Sequence, residues 1–312
     1  MVQFVLKRTI LSVPIALIVV VLVFSIIHLM PGDPALLMAG PQASPHVVNS
    51  IREQMGLDQP MYVQMWRYLS RLFQGDLGRS IVTGRPVASE IFGRLPNTVQ
   101  LAFFSMAVAT FVGVILGILA AVKRGSVFDR LSMATALFGI SVPLFFIGYL
   151  LIYYFAFRLG WFPISGKQGP LFSWAGFSSL ILPSLALGIE EMARVARLTR
   201  SSMLEVLGTD YIRTAKAKGL SQYLVIYKHA LKNALIPIIT VTGYQLARLM
   251  GGAVVVESVF AWPGIGRYLI MAIYDQDFPV IQGVLLITAL LYVGINILVD
   301  VVYAVIDPRI RY

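Results

Sequence analysis

Residues 210–219 read DYIRTAKAKG, a short polar stretch between two long apolar runs. Thr209 or Asp210 can serve as an N-cap, accepting a hydrogen bond from a free backbone N–H of the first turn. Gly219 can take the left-handed position that closes a helix. Lys216 and Lys218 lie where positive charge favours the negative end of the helix dipole. The residues between the caps make about 12 Å of helix, too little to be stable alone in water. The stretch needs a surface to pack against, and the reading here is that this surface belongs to another protein.

Outward from this stretch, the chain reads as a membrane protein. Its 312 residues are 58% hydrophobic and only 13% charged, and its mean hydropathy is +0.79. Soluble chains of this size are about a quarter charged. Apolar runs long enough to cross a bilayer recur near residues 9–30, 98–122, 132–157, 177–193, 235–259 and 278–305. The expected fold is an all-α polytopic membrane protein with six transmembrane helices. The run from Thr9 to Met30 is too long for the core of a signal peptide and leads into PGDP, not a cleavage site, so it reads as a retained helix.

Three regions follow: residues 1–30, the N-terminus and first helix; residues 31–96, a small helical extracytoplasmic domain between helices 1 and 2; and residues 97–312, a five-helix core. The second region carries six arginines, five acidic residues and Gly/Pro punctuation, with amphipathic segments near 44–56 and 59–73. In the core, Gly113-x-x-x-Gly117 with Ala121 in step is a stripe of small residues suited to close helix approach. Pro143 predicts a kink in the third span. The fourth run, interrupted by Pro183, Glu190 and Glu191, continues into a basic amphipathic segment ending at Gly208, which opens a cytoplasmic loop over 194–233. Six spans put both termini on one side. That side carries 15 Lys and Arg against 9, or against 3 once the 31–96 domain is set aside. Both termini and DYIRTAKAKG are therefore placed in the cytoplasm.

Much chemistry is excluded. The chain has no cysteine, and its three histidines are far apart in sequence and away from mid-membrane, so no metal cluster or intramembrane serine–histidine pair is read. No phosphate-binding loop is present: Gly160 to Lys167 has the wrong spacing and no following Ser/Thr. The basic charge lies in loops between spans, which encodes orientation and not nucleic-acid binding. No catalytic residue, metal ligand or bound cofactor is assigned.

Two charged residues in the fifth span are candidates for a translocation pathway. Arg248, near mid-span, is costly unless it faces a cavity or a partner charge; it reads as a pathway residue, opposite a solute carboxylate, or as a structural partner of Glu190, Glu191 or Asp300. Glu257, at the outer end, reads as part of an outer gate or as a residue at headgroup level. Adjacent helical residues diverge by about 100°, so Glu190 and Glu191 are not read as a shared site, and Arg194 is expected to pair with one of them. Asp300 is read as structural.

RTAKAKG at 213–219 stands where the membrane subunits of ABC importers carry Glu-Ala-Ala-x-x-x-Gly. Ala215 and Gly219 match, and Arg213 and Thr214 resemble the peptide-importer variant of that motif. Downstream, of the motif's Ile, Leu and Pro, only the Leu is matched, at Leu231. Along nearly its whole length the chain resembles the dipeptide/oligopeptide/glutathione/nickel permease family. The matching segments are PGDP (31–34), GDLGRS (75–80), TRSSMLEVLGTDYIRTAKAKGL (199–220), HALKNALIP (229–237), ESVFAWPGIGR (257–267) and DPRIRY (307–312).

The resemblance implies a type I ABC importer fold in a bacterial inner membrane. It implies a homologous second permease subunit, two ATPase subunits holding ATP and Mg, and an extracytoplasmic solute-binding protein. Tyr211, Ile212, Arg213, Thr214, Ala215, Lys216, Ala217, Lys218 and Gly219 would form the coupling helix that docks in a groove of the ATPase. Ala215 and Gly219 would pack closely in that groove, with Arg213, Lys216 and Lys218 at its rim. The solute would be a peptide (a dipeptide, an oligopeptide or glutathione). The alternatives are nickel or a metal chelate in the same family, and an ion-driven secondary transporter outside it. Without the resemblance, DYIRTAKAKG reads equally as a helix on the lipid surface.

Overall fold

The computed structural model describes residues 2–29, 34–39 and 43–306. The end of the first apolar run at Met30, residues 31–33 of PGDP and the DPRIRY segment lie outside the described residues. In chain order the α-helices are α1 (Val2–Leu29), α2 (Pro34–Ala39), α3 (Pro45–Met55), α4 (Met61–Phe73), α5 (Val87–Val122), α6 (Val127–Ser141), α7 (Leu144–Leu151), α8 (Trp174–Leu207), α9 (Asp210–Ala217), α10 (Leu231–Gly252), α11 (Val254–Val259), α12 (Ile265–Tyr274) and α13 (Phe278–Ile306). Two π-helical segments, Ile152–Arg158 and Leu224–Ala230, extend α7 and lead into α10. Among the described residues there is no strand, only an isolated bridge between Arg79 and Pro86.

Among the described residues three stretches are long and apolar enough to cross a membrane: Val87–Val122, Leu224–Gly251 and Phe278–Val302. Val127–Ser141 and Leu144–Arg158 make a fourth if their 104° bend is read within one span. That bend corrects the expected kink at Pro143. Val142, just before the proline, is extended at ψ 131°, the conformation that proline imposes on its predecessor, and the helix restarts after Pro143.

Pro96 behaves differently. The second span was expected from about residue 98, yet α5 runs unbroken from Val87 through Pro96. A proline inside a helix costs about 3 kcal/mol. Here the helix before it is pinned, because Val87 and Ile91 are fully buried against Ile265, Val280 and Val284. The boundary drawn at residue 96 therefore falls inside a helix. The fifth run also differs from expectation: α10 ends at Gly252 and α11 begins after Ala253.

The core is organised on α5 and α8, which pack through small residues. A Cβ on Gly117 would lie 2.5 Å from the Thr199 Cβ and 2.6 Å from the Ala196 carbonyl oxygen. One on Gly113 would lie 2.8 Å from the Met192 oxygen, and one on Gly188 2.9 Å from the Ser105 oxygen. The small-residue stripe thus serves packing inside this chain. On the other side α10 meets α13, where a Cβ on Gly243 would lie 2.7 Å from Val299. Leu101, Met106, Leu182, Leu187, Ile238 and Met250 fill the space between α5, α8 and α10.

Candidate functional site

The DYIRTAKAKG stretch forms α9 as expected, but its caps and its packing differ from the sequence reading. Thr209 occupies the N-cap position without a side-chain cap; its hydroxyl donates back to the Val206 carbonyl at 2.6 Å. At the other end Gly219 is left-handed at φ +78°. Its N–H donates to the Lys216 oxygen at 3.0 Å, and the Leu220 N–H to the Ala215 oxygen at 3.4 Å. This double pattern is a Schellman closure, for which glycine is the favoured residue.

The helix has its packing surface within its own chain. Ile212 is fully buried and Ala215 is 8% exposed, in a cluster with Ile118 and Ala121 of α5, Met203 of α8, and Val225, Ile226 and Ala230 of the π-helical segment. Asn233 donates to the Tyr211 hydroxyl at 2.7 Å, a second tie to α10. Ala215 is therefore occupied by the bundle, not free for an external groove. Gly219 has nothing within 4 Å of where a Cβ would stand, so backbone conformation and not close contact calls for glycine there. The free face carries Arg213, Thr214, Lys216, Ala217, Lys218 and Gly219, with the half-exposed Tyr211 at its edge. Arg213 stands 3.2 Å from exposed Asp210.

Inside the bundle, Arg248 does find the glutamates. It pairs with Glu191 and stands 3.6 Å from Glu190, while Gln245 accepts from its Nε at 2.9 Å. Arg194 pairs with Glu190 and comes within 4.0 Å of Glu191. Both glutamates thus converge on the same two arginines, which corrects the inference from their 100° divergence: the long side chains close that angle. Glu191 is 1% exposed, whereas the Arg248 side chain is 49% exposed. The cluster sits level with α5 between Ser105 and Gly113, roughly 15–27 Å from Lys123 at the end of that helix.

Glu257, read as an outer-gate or headgroup-level residue, is instead placed by its contacts at the centre of a buried hydrogen-bond set. It is fully buried. It accepts from the Thr98 hydroxyl at 2.6 Å and from the Arg267 N–H at 2.9 Å. Thr98 in turn accepts from the Ile265 N–H at 2.9 Å. Asn97 donates to the Pro263 oxygen at 2.9 Å, and Trp262 donates to the Asn97 oxygen at 3.0 Å. The AWPGIG turn is clamped to α5 by this set. A Cβ on Gly264 would stand 2.1 Å from the Glu257 carboxylate and would push it off its donors.

Three further contacts were missed from sequence. Asp277 accepts from the Ser80 hydroxyl at 2.5 Å and the Ile81 N–H at 3.2 Å, tying the loop after GDLGRS to the start of α13. Arg200 grips Asp129 with two hydrogen bonds of 2.6 and 2.8 Å, joining α8 to the first turn of α6. Asp300, read as structural, stands 3.3 Å from Arg8 and accepts from the Tyr244 hydroxyl at 2.7 Å. The GDLGRS segment was the available signal for the first; the others pair residues with no motif between them.

Residues 113–312 match the family described as binding-protein-dependent transport system inner membrane component, and residues 1–102 match the N-terminal family of the same membrane components. Over the whole of both chains, this chain is 49% identical to the glutathione transport system permease protein GsiC of Escherichia coli O6:H1. It is 45% identical, also end to end, to the dipeptide transport system permease protein DppB of Alkalihalophilus pseudofirmus. A putative peptide transport system permease protein of Brucella abortus is 47% identical. Among solved structures, an inward-facing MetNI methionine ABC transporter chain aligns over 70% of this chain and 96% of its own, with TM-score 0.59 and 19% identity. At that identity the likeness is one of fold.

Proposed function

The chain belongs to the family of binding-protein-dependent transport system inner membrane components, and on that premise we propose that it is half of the translocation pathway of an ATP-driven importer of peptides. The solutes of its full-length relatives, glutathione, dipeptides and peptides, support a peptide class. In this reading the chain is not itself catalytic. A homologous permease completes the pathway, two ATPases supply the energy, and an extracytoplasmic binding protein delivers the solute. In this reading the chain crosses the inner membrane six times, and both termini, the 194–233 loop and α9 are cytoplasmic, as the excess of Lys and Arg on that side supports.

The observation that carries the reading is the two-sidedness of α9. Its apolar face is seated on α5, α8 and the segment leading into α10, and its basic face is free. A push on the free face reaches three long helices at once, as a coupling element must if rigid bodies are to follow it. Arg248, half exposed at mid-membrane depth, is proposed to face the aqueous pathway, because its free side cannot face hydrocarbon without cost.

The test is recruitment. Co-expressed with its ATPases, the wild-type chain should co-purify with them, and Ala217→Trp on the free face should release them while leaving the chain in the membrane. A wild-type chain that recruits no ATPase overturns the reading. Uptake of labelled dipeptide and glutathione in cells lacking the chain then separates the solutes.

A further inference from the structure

We propose that α4 lies in the membrane interface beside the bundle, with Tyr62, Trp66 and Phe73 immersed in phospholipid. These three side chains are 76%, 71% and 86% exposed. At about 100° per residue they fall within about 40° of one another and form one aromatic stripe. Two other faces of the same helix are accounted for. Tyr68, Leu69 and Leu72 pack against Val20 and Val23 of α1 and Leu286 of α13, about 90° round from the stripe. Gln64, Arg67 and Arg71 lie about 150° round on the other side. There Gln64 donates to the Leu57 and Gln59 carbonyls of the α3–α4 link at 3.2 and 2.8 Å. A helix with a bundle face, an aromatic face and a basic polar face fits one position: flat on the bilayer, against the spans, with the rest of its domain above it.

Depth and continuity name lipid as the occupant. α13 has 29 residues, about 43 Å of helix, so a hydrocarbon core of about 30 Å leaves some 6–7 Å outside at each end if the helix is centred. Leu286, about 12 Å from the start of α13, then falls some 5 Å inside the boundary, the depth at which interfacial helices bury their apolar face. The Tyr68 ring sits 5.7 Å from that of Phe24. About one turn along α1 from Phe24, Val21 is 48% exposed, so the stripe lies beside the outward apolar surface of a span. Tyr and Trp are the residues enriched at this level of a membrane, and Arg67 and Arg71 suit the phosphates above.

The chain has no cysteine, which makes single labels on it specific. Spin labels are placed by Tyr62→Cys, Trp66→Cys and Phe73→Cys, and by Arg67→Cys and Arg71→Cys, in the assembled transporter with the partner subunits' cysteines replaced. The complex is held in phospholipid nanodiscs. At 62, 66 and 73, collision with oxygen should exceed collision with a water-soluble nickel chelate severalfold, and at 67 and 71 the order should reverse. Brominated lipid should quench tryptophan emission, and Trp66→Phe should remove that part of the quenching. Water exposure of the stripe in nanodiscs overturns the proposal; shielding that comes only with the purified binding protein would make the stripe a protein-docking face instead.

Discussion

Arg248 of α10 reaches Glu191 of α8 in the middle of the bundle, and the two partners are unequally exposed, 49% against 1%. That asymmetry predicts unequal substitutions. Removing Arg248 leaves a carboxylate in the interior with Arg194 at 4.0 Å as its remaining cation. Removing Glu191 leaves a half-exposed guanidinium that still has Glu190 at 3.6 Å. Breaking a buried pair costs about 3–5 kcal/mol; the surviving partners put both variants at or below the low end, with Arg248→Ala the worse. Thermal unfolding of the purified chain reads the order, and equal midpoints would contradict it.

Gly117→Ala adds one methyl group where Thr199 and a backbone oxygen of Ala196 already stand within 2.6 Å. Backbone cannot yield as a side-chain tip can, so α5 and α8 must separate, at about 1–3 kcal/mol or more. Gly93→Ala on the same helix meets nothing within 4 Å and should stabilise by about 0.5–1 kcal/mol. Opposite shifts in unfolding temperature for two identical substitutions on α5 are the expected result.

Asp277→Ala frees the loop that follows GDLGRS. It removes the acceptor for the Ser80 hydroxyl and for the Ile81 and Val82 N–H groups, each a bond to a charged group of about 1.5–3 kcal/mol. Amide exchange at Ile81 and Val82 should rise by at least tenfold, with exchange in α5 unchanged. Uniform acceleration across the chain would mean instead that Asp277 holds the whole fold.

The helices and the small-residue stripe were legible because hydropathy and spacing are local quantities. The partners of the buried charges were legible only in part. Glu190 and Glu191 were among the partners expected for Arg248, and both stand beside it, but Glu257 and Thr98 are 159 residues apart, and nothing in either stretch names the other. The prolines show the limit most clearly. Pro96 passes through a helix because Val87 and Ile91 are buried on its far side, while Pro143 accompanies a 104° bend. Propensity is the same at both; packing decides. α9 was legible as a helix that needs a packing surface, but that Ile212 and Ala215 belong to the bundle could be seen only once α5, α8 and α10 were in place.

Gly219 provides the test that separates shape from contact in α9. Gly219→Val introduces no clash, since nothing lies within 4 Å, yet φ +78° becomes strained by about 1–2 kcal/mol for a residue with a Cβ. Asn tolerates that conformation better than Val. If the Schellman closure matters, Gly219→Asn should retain ATPase recruitment and uptake, and Gly219→Val should lose much of both. If instead a close approach to a partner at this position matters, any side chain is excluded and Asn should fail as badly as Val. Recruitment measured for the three chains in parallel decides between a helix that must be closed correctly and a glycine that must be touched.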